Sequence, residues 1–486
     1  MNRRQLALLI LLSTAIGFMM FSSLTSGLAS VRPPVVIIGS GLAGLSAAME
    51  ALSAGQRVHM LERATKPGGN SIKASSGING VPTPYQPPGD SIDLFKSDTI
   101  RSAGSRYTAS RQALVDTLVE QSASAIEWLS SLGVDLSKVA QLGGHSAART
   151  HRGSSGPPPG FAIVSTLLNK LKASEGFTLS TNADVTALSL SPLSVTYQTP
   201  DDGAVSLPAA SVVFASGGFA GDGPGLLAHY RPDLAGMPST NDARRDNAHS
   251  LLVGAGAELV DMDSVQVHPT GFVDPKEPTQ PIKFLAAEAL RGEGGILLHE
   301  GRRFVNELET REHVSAAIMR LPTKEGEGRQ WDVTLLLDPG ACSAAKTHVD
   351  FYVFKGLLRR TKVRDLDDKV RAAVDAYAAG VAGDQDAFGG KSFGHWTLQA
   401  GDADAEVCIG RVTPVTHFTM GGAVIDADAR VLNANGGQIG GVFAAGEVTG
   451  GLHGDNRLGG SSLLECVVFG RIAGRNAAKA AGARQE

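Results

Sequence analysis

The stretch VVIIGSGLAGLSAAMEALSAGQRVHMLER, Val35 to Arg63, decides the fold. Its first four residues, Val35 to Ile38, are all apolar, the pattern of a strand buried within a parallel sheet. G-x-G-x-x-G follows at Gly39, Gly41 and Gly44. The first glycine permits a tight turn off the strand. The second lets the backbone approach a pyrophosphate, and the third lets the next helix pack close to the sheet. That helix is predicted over Leu42 to Ala54, rich in Ala and Leu and stopped at Gly55. A second strand, Val58 to Leu61, ends at Glu62, where a βαβ unit places an acceptor for ribose hydroxyls. The helix N-terminus offers partial positive charge and free N–H groups to a diphosphate. A strand before the glycines, a helix after them and an acid about 20 residues on distinguish this pattern from an ordinary glycine-rich turn.

Composition bounds the rest. A chain of 486 residues can bury a large core and is expected to hold two domains. A net charge of −4 gives no case for nucleic acid as a partner. Fifty-nine glycines suit a fold with many close backbone approaches to a cofactor. Cys342, Cys408 and Cys466 are scattered and form no CxxC or CxxCH, so no zinc site, c-type haem or disulfide framework is indicated. Buried thiols are expected instead. At the N-terminus, Arg3 and Arg4 precede an apolar run from Leu6 to Phe21 and then small residues, the order of a secretory signal over 1–30. This predicts the secretory pathway or endoplasmic reticulum, with membrane association only through residues 6–21. A mitochondrial presequence is the second choice, because the apolar residues are continuous rather than amphipathic.

Further along, Gly68, Gly69, Asn70, Ser71, Ser76 and Gly77 form a small-residue loop that can lie against a ring system. Helices are predicted over 91–103, 110–132 and 161–173, and a hairpin over 178–198. SVVFASGGFAGD, 211–222, reads as a short buried strand ending in glycines that can meet the cofactor a second time. From about residue 263 the character changes to mixed strand and helix, as in an inserted region. There Glu288 and Arg291, three apart, share a face if helical, and Arg302 and Arg303 read as a solvated turn. An amphipathic helix is predicted over 366–379. The chain closes with a strand at 442–445, a glycine-rich turn and a helix over 461–481, returning to the nucleotide-binding sheet.

Five segments carry a resemblance: HPT at 268–270, EALRGEGGILL at 288–298, ETREHVSAAI at 309–318, HFTMGG at 417–422 and AAGEVTGGLHGDNRLGGSSLLE at 444–465. Together they resemble the fumarate reductase/succinate dehydrogenase flavoprotein family, and its soluble single-subunit eukaryotic members most of all. The resemblance implies an α/β fold: a Rossmann-like FAD-binding domain of the GR2 type, interrupted by an α+β capping domain. The FAD domain then spans 33–262 and 419–486, and the cap 263–418. It implies hydride transfer from flavin N5 to fumarate, with protonation by Arg311 to give succinate. Glu288 and Arg291 match a proton relay. His268, His417, Arg457 and the Gly460 backbone match the carboxylate-binding positions. Planar dicarboxylates call for such groups, because the arginine fork binds a carboxylate with two hydrogen bonds.

For the cofactor, the resemblance adds Ala43, Gly69, Asn70, Ser71, Ser76, Gly77, Ala215, Glu447, Ser462 and Leu463 to Gly39, Gly41, Gly44 and Glu62. Relatives that attach FAD covalently use a histidine where alignment on Gly77-Ile78-Asn79 places Asn70, so non-covalent FAD is expected. Bacterial relatives carry Gly-Asp-Gly where this chain has RRDNAHS, 244–250, which leaves a contact from Asp246 open. The electron donor implied is reduced free flavin or an NADH-linked reductase. No metal is expected. Isolated histidines such as His145, His151, His229, His299 and His453 read as structural or surface groups. Alternatives on the same fold are an L-aspartate oxidase, a urocanate reductase or a ketosteroid dehydrogenase, the last disfavoured because no tyrosine lies in the cap motifs. A non-catalytic flavin-binding partner would have lost the His/Arg set, which is intact here.

Overall fold

In a computed structural model of the chain, Val35–Ile38 sits inside a six-stranded sheet, fully buried along its length. The structure describes residues 32–483 apart from 143, 202, 243–246, 327 and 391. The expected signal at 1–30, with its apolar run at 6–21, and Asp246 lie outside the described residues. Among the described residues, no helix is long and apolar enough to cross a membrane.

The sheet runs Arg430–Leu432, Gln438–Ala444, Ser211–Phe214, Val35–Ile38, Val58–Leu61, Phe177–Ser180. Every neighbouring pair is parallel except the first, an antiparallel edge. The apolar run of the first strand is thus explained by strands on both sides and helices packed above it. Helix Leu42–Ser53 leaves the first strand through Gly39, which has φ +105°; a Cβ there would lie 2.3 Å from the Ala215 carbonyl oxygen. The C-terminal helix Ser461–Ala483 crosses helix Leu42–Ser53 at close range. At Gly470 and Gly474 a Cβ would lie 2.5 Å from Ala43 O and 2.3 Å from Ala47 O, so backbone packs on backbone at the crossing.

Residues after 263 build a second, seven-stranded sheet around the 14-residue strand Glu406–Thr419. Val265–Phe272 and Val333–Leu337 flank it, both antiparallel. Helices Glu288–Gly292 and Arg311–Met319 belong to this half. Its apolar core includes Leu290, Val314, Ile318 and Trp331, and also Phe219, Leu227, Leu234 and Met237 from before residue 263.

Three expectations are corrected. The hairpin expected over 178–198 is present but shorter, Asp184–Leu190 paired antiparallel with Leu193–Thr199, because Phe177–Ser180 joins the main sheet beside Val58–Leu61. Asn182, at φ 53°, breaks the strand, and Asp184–Leu190, Leu193–Thr199 and Gly203–Pro208 form a separate antiparallel sheet. The helix expected over 110–132 divides into Gln112–Glu120 and Ser122–Ser131. At the break the Ser122 hydroxyl is fully buried and bonds both the N–H and the C=O of Val81, which fixes that turn against the neighbouring loop. Arg303 is not a solvated turn residue. Its guanidinium is largely buried, pairs with Glu307 and Asp386 and lies over the Tyr377 ring. The three cysteines are free and buried, as expected.

Candidate active site

A cavity of about 920 Å³ runs between the two sheets. One end is walled by the first turn. Gly39, Gly41 and Ala43 line it, whereas Gly44 lies beneath them against the Gly39 carbonyl, in the packing role its position suggests. Glu62 also lines the cavity; Oε2 accepts from the Ser40 N–H at 3.0 Å and Oε1 from the Ala64 N–H at 2.7 Å. A carboxylate keeps further lone pairs for a ligand hydroxyl. Gly69, Asn70, Ser71, Ser76, Gly77, Ala215, Glu447, Ser462 and Leu463 complete the walls named from the sequence. The N-termini of helices Leu42–Ser53 and Ser461–Ala483 both open here, so two positive helix ends meet one space. Asn70 is engaged with a side chain: its amide donates to Asn241 Oδ1.

Arg311, His417, Arg457 and Gly460 line the same cavity. Arg311 begins its helix behind the cap residue Thr310. Its Nε donates to Glu288 Oε2 at 2.9 Å, and its Nη2 contacts the same oxygen. Helix Glu288–Gly292 holds Glu288 and Arg291 on one face, as their spacing implies, with Arg291 Nη2 3.8 Å from Glu288 Oε1. His417 is oriented by Thr240, whose Oγ1 lies 2.9 Å from Nδ1. His268 stands behind His417, ring centroids 5.6 Å apart, fully buried and with Nε2 lacking a protein partner. Glu288, Arg291 and His268 therefore back the cavity wall rather than form it.

Gln266 is the residue that the sequence reading missed. Its Oε1 accepts from Arg311 Nη1 at 2.9 Å and from Arg457 Nη2 at 3.0 Å. One amide oxygen thus ties a guanidinium from the second sheet's side to one from the loop before the C-terminal helix. The available signal was strand alternation, since Gln266 lies two residues before His268 on strand Val265–Phe272. Asn79 was also missed; it anchors the Gly459 carbonyl at 2.9 Å and the Ser461 hydroxyl at 3.0 Å.

Electrostatics follow from this crowding. Burial, then the charges of Arg311, His417 and Arg291, holds His268 well below the usual imidazole range. Burial, then Arg457 and Arg311, does the same to His417. Both imidazoles are neutral at pH 7. Burial and the neighbouring Arg311 push Arg457 down to about 10. Burial acts to raise Glu288, but Arg311 and Arg291 outweigh it and hold its carboxyl below the ordinary value. Burial pushes Glu447 up to about 7, although its Oε1 accepts from the Thr419 N–H at 3.0 Å. Three guanidiniums, Arg291, Arg311 and Arg457, thus crowd around Glu288, with Glu307 acting on Arg291 and Glu447 and Glu465 on Arg457. Arg311 and Arg457 on the cavity wall suit an anionic ligand.

The FAD binding domain family matches residues 34–463. Fumarate reductase from Schizosaccharomyces pombe is 40% identical over 468 residues, 91% of this chain and 88% of its own length. Fumarate reductase 1 from Saccharomyces cerevisiae is 43% identical over 477 residues, covering 92% and 98%. The open conformation of a flavocytochrome c3 fumarate reductase superposes with a TM-score of 0.76 at 31% identity, covering 96% of this chain and 81% of that one. The chain belongs to the fumarate reductase flavoprotein family. Its cofactor is FAD, and the residues expected to bind it, Gly44 aside, line the cavity. The fit shows in the bare backbone of the first turn and the two helix N-termini. Two cavity-lining hydroxyls, Ser75 Oγ and Ser216 Oγ, are also buried without a protein partner.

Proposed function

We propose that this protein is an FAD-dependent fumarate reductase, forming succinate in a cleft between an FAD-binding part (33–262 and 419–486) and a cap (263–418). The observation that carries this reading is the convergence of Arg311, Arg457 and His417 on the cavity that also holds the expected nucleotide-binding walls. Bound reduced FAD supplies a hydride to one alkene carbon. The chain's own residues do the rest. Arg457 and the neutral imidazole of His417 hold the carboxylates, with His268 behind His417, and the Gly460 backbone lies close by. Clamping one carboxylate out of the alkene plane polarises the double bond. Arg311 delivers the proton to the other carbon. Arginine is a poor acid in water, but the acceptor here is a developing carbanion, and Glu288 at 2.9 Å returns the proton. Arg291 stands next in line.

FAD is held without a covalent bond in this reading. Asn70, at the position of the covalent histidine, offers an amide already engaged by Asn241. The donor is reduced free flavin or an NADH-linked reductase. The protein is directed to the secretory pathway or endoplasmic reticulum, with the mitochondrion second. The reading is tested by mixing dithionite-reduced protein anaerobically with fumarate, urocanate and iminoaspartate precursors. Rapid flavin reoxidation by fumarate alone is expected; a preference for either rival overturns the assignment. Acid denaturation is expected to release all yellow colour.

A further inference from the structure

The peptide joining Gly459 to Gly460 has different surroundings on its two sides. Gly460 lines the cavity, whereas Gly459 lies off its wall. A Cβ built on Gly459 would lie 3.7 Å from Arg311 Nη2, so this peptide is a neighbour of Arg311. The Gly459 carbonyl accepts from Asn79 Nδ2 at 2.9 Å and from His145 Nε2 at 2.9 Å. A carbonyl oxygen has two lone pairs, and both are taken. The peptide is trans, so its N–H points opposite to its C=O. The Gly460 N–H is therefore aimed away from Asn79 and His145, toward the cavity side. Among the described residues it has no acceptor.

His145 can donate through Nε2 in one neutral tautomer only, and Arg149 enforces it. Arg149 Nη1 lies 3.1 Å from His145 Nδ1. A guanidinium donates and has no acceptor, so Nδ1 is the bare nitrogen and Nε2 carries the proton. Burial above all, with the Arg149 charge beside it, pushes the His145 imidazole down to about 4, although the Gly459 carbonyl opposes this. The ring is neutral at pH 7. Arg149 is itself fully buried. Asp90 holds its Nε at 3.0 Å and its Nη2 at 2.7 Å, and Asp98 holds Nη1 at 2.6 Å. This buried polar chain ends on a carbonyl 314 residues away from His145, in the loop that carries Arg457, and not on its own turn.

We propose that His145 is a positioning residue of the anion site: together with Asn79 it locks the Gly459–Gly460 peptide so that the Gly460 N–H donates to a carboxylate oxygen of the bound ligand. Two donors on one carbonyl also polarise the peptide and strengthen its N–H. The site thereby gains a neutral donor beside Arg311 and Arg457, one that keeps its proton at any working pH. The same frame explains why residue 460 is glycine. Its φ is +79°, and a Cβ there would lie 2.3 Å from Asn79 Oδ1. Asn79 thus grips the carbonyl of one residue and packs against the Cα of the next. This inference rests on the dicarboxylate reading proposed above.

His145→Asn and His145→Gln separate the two ring nitrogens. Asparagine puts its amide oxygen near Nδ1 and keeps a partner for Arg149, but it is too short to reach Gly459. Glutamine extends its amide nitrogen to the place of Nε2 and keeps that donor. The first readout is the dissociation constant of malonate, a dicarboxylate without an alkene, titrated on each holoenzyme by flavin absorbance. The second is KM against kcat for fumarate. His145→Asn is expected to weaken malonate binding and raise KM by about tenfold, the loss of one hydrogen bond, with the larger change in KM. His145→Gln is expected to restore both toward wild type. Malonate binding that is unchanged in His145→Asn, or equally weakened in both variants, overturns the proposal, because a merely structural histidine would give one or the other. If His145→Asn does not fold, a crystal structure of the wild-type holoenzyme with malonate decides: a carboxylate oxygen within hydrogen-bond distance of Gly460 N supports the assignment, and its absence overturns it. Wild-type enzyme that binds malonate and fails to reduce fumarate would count against the proposed function and leave the His145 comparison standing.

Discussion

Arg311 is where charge, position and chemistry meet: it lines the cavity, bonds Glu288 and shares Gln266 with Arg457. Lysine keeps the charge but loses the fork, so Arg311→Lys cannot hold Glu288 and Gln266 at once. Turnover is expected to fall at least about 1,000-fold while the flavin spectrum of the purified protein stays unchanged; near-normal turnover would remove Arg311 from the proton-donor role. Glu447 gives a second prediction. Its folded pKa, about 7, lies above the 4.5 of a free glutamate. The folded state therefore binds its proton more tightly, and this contribution to stability is complete below pH 4.5 and is lost as pH rises through 7. The loss is at most roughly 3 kcal/mol. Urea unfolding of Glu447→Gln against wild type between pH 5 and 8 should show the variant flatter with pH; parallel curves would sink the claim. At this scale the sequence revealed residues with a motif around them, such as His268, His417 and Arg457. Gln266 and Glu307 stayed hidden because their roles arise from side chains that meet only when distant strands and loops converge.

Elements were legible where local chemistry and tertiary context agree. The strand at 35–38 and the strand at 58–61 were read to the residue, because a buried parallel strand leaves no choice of pattern. Phe177–Ser180 was not, because a short strand at the edge of a parallel sheet looks the same as half of a hairpin. The crossing of the two long helices was likewise invisible to propensity, which penalises glycine inside a helix. Gly474 is there because Ala47 O would sit 2.3 Å from a Cβ. Gly482, on the same helix, has nothing within 4 Å. Alanine should therefore act oppositely at the two sites. Gly482→Ala is expected to stabilise by up to about 1 kcal/mol, and Gly474→Ala to destabilise by about 1–3 kcal/mol. Thermal unfolding of the two holoenzymes decides it; a gain at both positions would mean that the helix crossing is looser than described.

Across the whole molecule, the proposed anion site is assembled from parts far apart in sequence. Arg311 and His417 come with the second sheet and its helices, and Arg457 from the turn before the C-terminal helix. Gln266 is the strap between them, and a neutral amide cannot cancel the arginines' charge. The division into two main sheets was legible in the sequence, because its character changes near residue 263 and a buried strand returns at 442–445. How tightly the parts join was not, since residues 219–237 send Phe219, Leu227, Leu234 and Met237 into the second sheet's core. A ligand with two carboxylates neutralises guanidiniums on both sides at once, so it should stabilise the assembly and not one part alone. At 100 times its dissociation constant, a ligand that binds only the folded state adds about 2.7 kcal/mol. Fumarate and succinate are expected to raise Tm in one cooperative transition. Crotonate, which has a single carboxylate on the same alkene, should do so weakly, and added salt should diminish the dicarboxylate effect. Equal shifts with crotonate and fumarate would mean that only one carboxylate is held, and the cage of Arg311, Arg457 and His417 would then not be a dicarboxylate site.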